Sequence, residues 1–310
     1  MTVRTKILLI VIFFSCVTIT SVSQPLDAGD KEPLKIVITN DDGVEDLEDR
    51  LYPLAVALIP FAETYIVIPS QDRSGSSHFT SIGKHKRALE SVLLYVKEKT
   101  EETERLEIHT VMGYPADCVS LAVGGILRDN PPDLVISGIN GGANLGDAWI
   151  GSGTIGAARM AAFYGIPAIA VSGIDDNLEG AVEAVTGWIA RLARCPLVLN
   201  LEPGQYLTVG LPRLEPGKIK GVRVAPRAPR LGAGYFERTQ GLSGEENRSV
   251  WLAQIPLEGE APPVGSDLAL YEENYIIITP MRVDEHDYPM LKELADSLDE
   301  VPVWLTNRKK

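Results

Sequence analysis

A run of β-branched residues near the start of the chain ends abruptly in two adjacent carboxylates. The run Leu34–Thr39 predicts a buried strand, and the polar segment Asn40–Gly43 follows it directly. Ligands bind at the carboxyl ends of strands in an α/β sheet, so Asp41 and Asp42 lie where a site is expected. Their like charges repel each other, and a hard divalent cation, which prefers oxygen ligands, would offset that repulsion. An ordinary turn is the alternative, because Asn-Asp and Asp-Gly are common turn formers.

Strand-like and helix-like runs alternate from this point to about residue 196. Such an alternation predicts an α/β fold whose mainly parallel sheet is covered by helices on both faces. Two further runs, with a charged connection between them, predict a β-hairpin arm. The predicted strands are Ile36–Ile38, Tyr65–Ile68, Leu134–Ile136 and Pro167–Val171, the predicted helices are Leu51–Phe61, Pro115–Leu127, Ala157–Tyr164 and Leu178–Ala193, and the hairpin joins Leu93–Val96 to Ile108–Val111.

The pattern changes after Pro196, where prolines and glycines become frequent and few helices are expected. We predict that residues 34–196 form the core and that residues 197–310 form a strand-rich region that completes the fold. Part of that region would act as an arm for subunit pairing. The strands predicted there are Val198–Asn200, Val222–Val224, Val250–Leu252 and Tyr275–Ile278.

Composition and charge exclude some classes of protein. Of the 310 residues, 45% are hydrophobic and 23% are charged, which is typical of a globular protein. The formal net charge of −13 argues against a uniformly positive surface, so we expect no nucleic acid duplex as a partner. Small anionic substrates stay compatible with an acidic chain, because a bound cation reverses the local field. Cys118 and Cys195 have neither disulfide-framework nor zinc spacing, and we predict two buried small apolar side chains.

The first 24 residues have the pattern of a secretory signal. Arg4 and Lys6 precede the almost unbroken apolar run Ile7–Thr20, and small residues follow that run. We therefore predict a signal peptide over residues 1–24 and export to the periplasm or the extracellular space, with no stable membrane span. The alternatives are an uncleaved anchor and lipid attachment at Cys16. The apolar run is short for a membrane span, and the residues around that cysteine fit a lipid site poorly.

Two glycine-rich segments follow the predicted strand Leu134–Ile136. The first, Ser137–Asp147, begins at the carboxyl end of the strand, where Asn140 can offer a carbonyl oxygen to a cation or an amide to an oxyanion. The second, Gly151–Gly156, precedes a helix, and exposed N–H groups at a helix start bind anions such as phosphate. The alternatives are a long turn held by asparagine side chains and ordinary helix capping by the hydroxyl residues of the second segment.

The segment Gly151–Gly156 also has the GxGxxG spacing of dinucleotide-binding proteins, and an acidic residue, Asp175, follows it. That motif requires a strand that runs straight into the first glycine, whereas loop-like residues precede Gly151 here. We therefore predict no nicotinamide cofactor. The sequence contains neither a GxxxxGK[ST] phosphate loop nor a complete GxSxG elbow, so a serine-hydrolase triad has no support.

A third polar segment, Asp72–His78, follows the predicted strand Tyr65–Ile68. Its hydroxyl groups are weak metal ligands that are acceptable beside carboxylates for Mg²⁺ or Mn²⁺, and a serine-rich surface turn is the alternative. The four histidines share no metal spacing and are predicted to be structural or surface residues. They are His78, His85, His109 and His286.

Together these segments resemble the SurE family, the survival-protein-E nucleotidases and phosphatases. The resemblance runs from about Leu34 to Val283 and rests on long motifs in the correct order. The matching stretches are KIVITNDDGV, QDRSGSSH, GYPADCV, PDLVISGINGGANLGDAWIGSGTIGAA, GIPAIAVS and VGSDLALYEENYIIITPMRVD.

The resemblance implies a metal-dependent phosphomonoesterase that hydrolyses nucleoside monophosphates on a Rossmann-like α/β core. It also implies one divalent cation per subunit, Mg²⁺ or Mn²⁺, and a homodimer or homotetramer paired through the C-terminal arm. At the matching positions, the metal ligands are Asp41, Asp42, Ser74 and Asn140, of which the two aspartates are also the catalytic candidates, and the phosphate contacts are Ser152, Gly153 and Thr154, with Asn144 as a further substrate contact.

Several positions depart from the family pattern without removing the metal and phosphate residues. They therefore bear on the choice of substrate more than on the type of reaction. Two alternatives stay open: a non-specific acid phosphatase or exopolyphosphatase, and a non-catalytic nucleotide-binding protein. The departures are NDDGVEDL over Asn40–Leu47 in place of NDDGxxAP, Tyr114 in place of the threonine of GTPxDCV, Ala148 in place of the second aspartate of NLGDD, and Gly151 in place of the tyrosine before SGT.

Overall fold

The computed structural model describes residues 32–83, 88–100, 105–228, 235–239, 250–254, 261–285 and 290. The predicted signal peptide, His85 and His286 lie outside the described residues. The strands in the described part are β1 (Leu34–Thr39), β2 (Ala62–Pro69), β3 (Ser91–Lys97), β4 (Leu106–Val111), β5 (Leu134–Asn140), β6 (Ala168–Ser172), β7 (Gln205–Gly210), β8 (Val222–Val224), β9 (Tyr235–Thr239), β10 (Val250–Gln254) and β11 (Ile276–Arg282). The α-helices there are α1 (Tyr52–Leu58), α2 (Pro115–Leu121), α3 (Gly153–Phe163), α4 (Ala181–Ala193), α5 (Pro196–Leu199) and α6 (Asp267–Glu272).

Nine of these strands form one sheet in the order β3-β4-β2-β1-β5-β6-β7-β11-β8. The six strands from β4 to β7 in this order run parallel, while β3 is antiparallel to β4 and β11 is antiparallel to β7. The predicted α/β fold with a mainly parallel sheet is therefore confirmed. Strands β7, β8 and β11 come from residues 197–310, as does the separate antiparallel pair β9–β10. The division of the chain near residue 196 stays a prediction.

Helices cover both faces of the sheet because alternate strand residues point to opposite sides. Ile36 and Ile38 of β1 lie in one fully buried apolar cluster with Leu54 of α1. Val37 lies in a second cluster on the other face, with Ala157 of α3. Each fully buried aliphatic side chain of this kind stabilises the fold by about 1.5–3 kcal/mol. The two clusters pack on opposite faces of the sheet and stabilise the arrangement of its strands, including their carboxyl ends.

The predicted strand Val198–Asn200 is wrong, because the helix α5 covers Pro196–Leu199 instead. A short apolar run does not distinguish a strand from a helix, and proline is favoured in the first turn of a helix, where its missing N–H has no intrahelical partner. The true strand of this region is β7, whose sequence QYLTVG has no long β-branched run. The elements β7, β9 and α6 are absent from the sequence-based predictions.

Other predicted elements are confirmed with changed limits. The helix predicted from Ala157 begins at Gly153, and β5 continues to Asn140, into the predicted glycine-rich loop. The β3–β4 hairpin is present, but it is part of the main sheet because β4 also pairs with β2. Cys118 is buried as predicted, whereas Cys195 is only half-buried, and both are free. None of the helices in the described part of the chain combines the length and apolarity that a membrane span requires.

Candidate metal and phosphate site

The turn after β1 is locked by the side chain of Asn40. Its Nδ2 donates to the Gly43 carbonyl at 3.0 Å, and its Oδ1 accepts from the Gly43 N–H at 3.1 Å. Gly43 has a φ of +75°, and a Cβ at this position would lie 2.7 Å from the carbonyl carbon of Gln71. Glycine fits such a conformation and such a close approach without strain. The Arg73 N–H also donates to the Asp41 carbonyl at 2.7 Å, so the turns after β1 and β2 are tied together.

Asp42 contacts the Ser-rich loop, defined as residues 72–81, which follows β2. The Ser74 hydroxyl donates to Asp42 Oδ1 at 3.2 Å, and the Ser74 N–H donates to Asp72 Oδ1 at 2.7 Å. The other oxygen of Asp42, Oδ2, is buried without a hydrogen-bond partner, and Arg50 Nη1 lies 3.7 Å from it. A buried carboxylate oxygen without a hydrogen bond is costly, unless a ligand takes its lone pairs. The structure therefore presents one carboxylate oxygen at the predicted site that has a distant ion-pair partner but no hydrogen bond.

Asp41 is almost fully buried and points to the start of α3. The Thr154 hydroxyl donates to Asp41 Oδ1 at 2.6 Å. Burial raises the pKa of Asp41, and the charge of Asp42 adds to this rise, whereas hydrogen bonds from Thr154 oppose it. The two adjacent carboxylates, one buried and one partly exposed, therefore repel each other as the sequence predicts. A nearby cation would favour the charged form of both groups.

The start of α3 packs directly on Asp41. A Cβ at Gly153 would lie 2.8 Å from Asp41 Cβ and 2.9 Å from Ser76 Oγ, so glycine is required for this approach. The Ser152 side chain caps the helix by accepting from the Ile155 N–H at 3.1 Å. Ser152 therefore acts as a helix cap, the Thr154 hydroxyl is engaged with Asp41, and the phosphate contacts of both residues stay predictions. The feature that a phosphate could use here is the partial positive charge of the helix start.

Asn140 is the last residue of β5, and Asn144 lies in the loop that follows it. Strands β1 and β5 pair with Thr39 opposite Ser137, and Asp42 and Asn140 each come three residues after these paired residues. The Asn140 Nδ2 donates to the Gly142 carbonyl at 2.6 Å, which leaves its carbonyl oxygen for a ligand. The Asn144 Nδ2 donates to Ser172 Oγ at 2.8 Å, at the end of β6. The aspartates therefore contact three of the predicted site residues directly, namely Ser74, Gly153 and Thr154. Asn144 instead contacts Ser172, at the end of β6.

Arg50 forms an ionic network beside Asp42 that the sequence analysis did not identify. Arg50 Nη1 lies 2.6 Å from Asp46 Oδ2, and Arg50 Nη2 lies 2.8 Å from Asp176 Oδ2. Burial raises the pKa of Asp46 to about 7, with a further rise from Asp42 and an opposing effect from Arg50. A Cβ at Gly141 would lie 3.2 Å from Arg50 Nη2, so the network also borders the loop after β5. The i,i+4 spacing of Asp46 and Arg50 is the sequence signal for this pair.

Asp117 of α2, also missed by the sequence analysis, holds the end of the Ser-rich loop. The Thr80 hydroxyl donates to its Oδ1 at 2.5 Å, and the Ser81 N–H and hydroxyl donate to its carboxylate at 3.0 and 2.8 Å. The Tyr114 N–H donates to Oδ2 at 3.0 Å and completes a capping box. Burial raises the pKa of Asp117, but these hydrogen bonds outweigh it, so the pKa lies below its ordinary value. The spacing of Tyr114 and Asp117 after a loop is the signal for this cap.

Two polar atoms of the Ser-rich loop lack partners. Ser76 Oγ is buried beside Gly153 without a hydrogen bond, and His78 Nε2 is buried in the same state. Burial lowers the pKa of His78, and the nearby Arg159 lowers it further, against the attraction of Glu285. Ser76 and His78 are therefore neutral donors or acceptors available to a ligand at the start of α3. His109 is a structural residue, as predicted, since its Nε2 lies 2.9 Å from Glu107 Oε2 on β4.

The donor set consists of oxygen atoms, which suit a hard cation better than a soft one. Within the described part of the chain, no three His, Cys, Asp or Glu side chains come together as a metal site. Two carboxylates, a hydroxyl and an amide oxygen are instead the oxygen ligands that Mg²⁺ and Mn²⁺ accept, alongside water. Oδ2 of Asp42, buried without a hydrogen bond, is the observation in this structure that favours such an ion. These metal and substrate roles stay predictions.

Comparisons with known proteins give one consistent result. The family model described as "Survival protein SurE" matches residues 36–232. A 5′/3′-nucleotidase SurE from Shigella dysenteriae is 37% identical over 270 residues, which are 87% of this chain and 98% of that protein. A 5′-nucleotidase SurE from Methylococcus capsulatus is 32% identical over 278 residues, covering 89% of this chain and 99% of that protein.

A solved structure agrees with these sequence matches. The crystal structure of the SurE protein from Aquifex aeolicus superposes with a TM-score of 0.66 at 27% identity, and the match covers 86% of this chain and 100% of that one. The family model covers more than half of the chain, and the relatives are matched over nearly their whole length. The chain therefore belongs to the SurE family.

Proposed function

We propose that this protein is a hydrolase that removes phosphate from nucleoside monophosphates with the help of one Mg²⁺ or Mn²⁺ ion per subunit. The names of its relatives, which are 5′- and 5′/3′-nucleotidases, support the reaction. The single observation that carries the site assignment is Oδ2 of Asp42, which is buried without a hydrogen bond next to Asp41 and the start of α3. A phosphate dianion and a divalent cation together would satisfy both features.

The chemistry of the side chains and backbone groups assigns them to two roles, cation binding and phosphate orientation. Asp41 and Asp42 would hold the cation with the Ser74 hydroxyl and the Asn140 amide oxygen. When bound, that ion neutralises phosphoryl charge and lowers the pKa of an attacking water. The N–H groups at the start of α3 would orient the phosphate, and this preorganised charge costs no rearrangement during the reaction. Since Asp41 Oδ1 accepts from Thr154, Asp42, whose Oδ2 accepts no hydrogen bond, is the carboxylate better placed to accept a proton or a ligand.

The test compares Asp42→Asn with a matched control, Asp129→Asn. Asp129 is exposed and precedes β5, so it lies at the amino ends of the parallel strands, whereas the site lies at their carboxyl ends. We expect Asp42→Asn to lower kcat for phosphate release from nucleoside monophosphates by about 100-fold or more, since ligand and general-base losses have this size. Asp129→Asn should keep the wild-type rate. EDTA should abolish activity, and Mg²⁺ or Mn²⁺ should restore it.

A second readout does not depend on turnover. An ion that binds only the folded state raises the Tm, so Mn²⁺ should stabilise the wild type and Asp129→Asn but not Asp42→Asn. Wild-type activity in Asp42→Asn would refute the site assignment. Tight nucleotide binding without phosphate release in either ion would instead favour a binding protein. Faster release from a chromogenic ester or from polyphosphate than from nucleotides would favour the non-specific phosphatase.

We propose two further properties of the same protein. The pattern of residues 1–24 supports export to the periplasm or the extracellular space. The β9–β10 pair, in which Phe236, Trp251 and Leu252 are exposed, supports a homodimer or homotetramer paired through this arm. Amino-terminal sequencing of the secreted protein and light scattering of the purified protein would test them.

A further inference from the structure

The guanidinium group of Arg50 lies among three carboxylates, one of which belongs to a predicted metal ligand. Its Nη1 lies 2.6 Å from Asp46 Oδ2 and 3.7 Å from Asp42 Oδ2. On the other side, Arg50 Nε donates to Asp176 Oδ2 at 2.9 Å. The contact from Nη1 to Asp46 is also a hydrogen bond, whereas 3.7 Å is too long for one. Asp46 and Asp176 therefore bind Arg50 directly, and Asp42 does not.

The carboxylates of Asp42 and Asp46 both face one nitrogen atom, Arg50 Nη1. They also interact with each other, because Asp42 raises the pKa of Asp46 beyond the rise that burial causes. The side chains are largely shielded from solvent, with exposed fractions of 15% for Arg50, 25% for Asp42 and 13% for Asp46. Partly buried charges are screened much less than exposed ones. A change in the partner of Nη1 therefore alters the charge that either aspartate presents.

The partner of Arg50 Nη1 determines whether Asp42 can bind a cation. Ser74 donates to Asp42 Oδ1, and Oδ2 is buried without a hydrogen bond. If Nη1 bound Asp42 as closely as it binds Asp46, Oδ2 would be held in a charge-assisted hydrogen bond that a cation would have to break. Without Arg50, the Asp46 carboxylate would stand unpaired beside Asp42. Two carboxylates bind a divalent cation more strongly than one, because affinity rises with the number of charged ligands.

The local sequence builds this pair into the segment between β1 and α1. Asp46 ends the 3₁₀ turn Gly43–Asp46, and Arg50 lies in the π-helical turn Leu47–Leu51. Their i,i+4 spacing brings the two side chains together on one face. Asp46 is also one of the departures from the family pattern NDDGxxAP, in which alanine stands at its position. Asp176, which follows β6, fixes the guanidinium from a second loop.

We propose that Asp46 and Arg50 are a pair of positioning residues that sets the affinity of the predicted cation site. Asp46 keeps the guanidinium group away from Asp42, and Arg50 keeps the Asp46 carboxylate from binding the ion. The inference rests on the proposed function and deepens it by naming residues that control ion binding. The two residues act in opposite directions, so loss of Asp46 weakens ion binding and loss of Arg50 strengthens it.

The test is calorimetry of Mn²⁺ binding without nucleotide, in the wild type, Asp46→Asn, Arg50→Gln and the double variant. Asp42→Asn gives the background heat. We expect Asp46→Asn to bind Mn²⁺ about 10-fold or more weakly, the size found when a group that orients a metal ligand is lost. Arg50→Gln should bind Mn²⁺ about 3- to 10-fold more tightly, because a second carboxylate becomes available. The double variant should lie within about 3-fold of the wild type, because residues in contact do not act independently.

The matched control is Arg105→Gln. Arg105 also contacts two carboxylates, those of Glu98 and Glu107, but it directly precedes β4, at the amino ends of the parallel strands. Its loss should leave the affinity for Mn²⁺ unchanged. If Asp46 and Arg50 only stabilised the turn, both single variants would bind Mn²⁺ more weakly. Opposite changes in the single variants and recovery in the double variant therefore separate positioning from a structural role.

The outcomes also separate this inference from the proposed function. If the wild type binds Mn²⁺ but both single variants change in the same direction or not at all, the pair is overturned and the cation site stands. If Mn²⁺ binds but no nucleotide is hydrolysed, the proposed reaction fails, and the directions of the two changes still decide the inference. Absence of Mn²⁺ binding in the wild type would overturn both. Thermal melting identifies a single variant that fails to fold, and the direction of change in the other then decides.

Discussion

Replacing Gly156 by alanine tests how the Ser-rich loop is held on α3. Gly156 lies inside the helix, and its backbone conformation is one that alanine adopts freely. The obstacle is space, since the new Cβ would be 2.0 Å from the carbonyl oxygen of Ser77, whereas ordinary contacts begin at 3.4 Å. The neighbour is backbone, so no side-chain rotation can relieve the overlap. The loop must move away, and the bond from the Ser77 N–H to the Gly151 carbonyl, at 3.0 Å, must stretch or break.

The expected size of the effect follows from three contributions. Alanine in a helix interior is favoured over glycine by about 1 kcal/mol. Overpacking a well-packed contact costs about 1–3 kcal/mol, and loss of one hydrogen bond costs about 1 kcal/mol. The overlap here is severe, so we expect the free energy of unfolding to fall by about 1–3 kcal/mol in Gly156→Ala. Activity should fall as well, because movement of the loop carries Ser74 away from Asp42.

The control is Gly187→Ala in α4. A Cβ at Gly187 meets no atom within 4 Å, so this variant should gain about 1 kcal/mol from helix propensity alone and keep full activity. Urea denaturation followed by circular dichroism gives both free energies, and phosphate release gives the activities. If Gly156→Ala were as stable and as active as Gly187→Ala, the close packing of the Ser-rich loop on α3 would be incorrect.

Two further predictions concern buried carboxylates. Asp117→Asn should lower the free energy of unfolding by about 2–3 kcal/mol, because an amide cannot accept from all the donors that Thr80 and Ser81 present. A Tm within about 1 °C of the wild-type value would contradict this prediction. Burial raises the pKa of Glu107, but hydrogen bonds from His109 and Arg105 outweigh it and hold the pKa below 4.5. The contribution of this carboxylate to the free energy of unfolding is therefore present above pH 4.5 and lost as the pH falls through the lowered pKa. Urea denaturation at a series of acidic pH values should show a steeper loss of stability for the wild type than for Glu107→Gln. Parallel plots of stability against pH for the two proteins would refute this prediction.

Local patterns are enough to predict the first strands of the sheet and the turns that end them, but not β7. The β-branched run of β1 and the polar segment after it predict a strand with a site at its end, and the structure places Asp41 and Asp42 there. The start of α3 was placed too late, because two glycines argue against a helix in sequence terms. Tertiary packing decides otherwise, since Gly153 and Gly156 are the positions where Asp41 and Ser77 approach the helix.

Contacts between distant residues could not be predicted from one sequence. Arg50 and Asp176 are separated by 126 positions, and Thr80 and Asp117 by 37. Charged residues of these types are usually solvated on a surface, so nothing local distinguishes the ones that pair. The GxGxxG spacing is a local pattern that is easily recognised but does not identify its own role. Two of its glycines are needed here because other parts of the protein pack closely against them, and the pattern alone does not show whether a ligand or the protein itself occupies that space.

Strand β11 lies between β7 and β8, although it follows both of them in the chain. Asp267, which precedes it, is fully buried and accepts from the Gly146 N–H in the turn before α3. Domains fold as the chain leaves the ribosome, beginning with the amino-terminal part. The sheet and the turn beside the candidate site can therefore be completed only when the last of these segments has been synthesised, and we expect a chain that ends before residue 267 to release no phosphate.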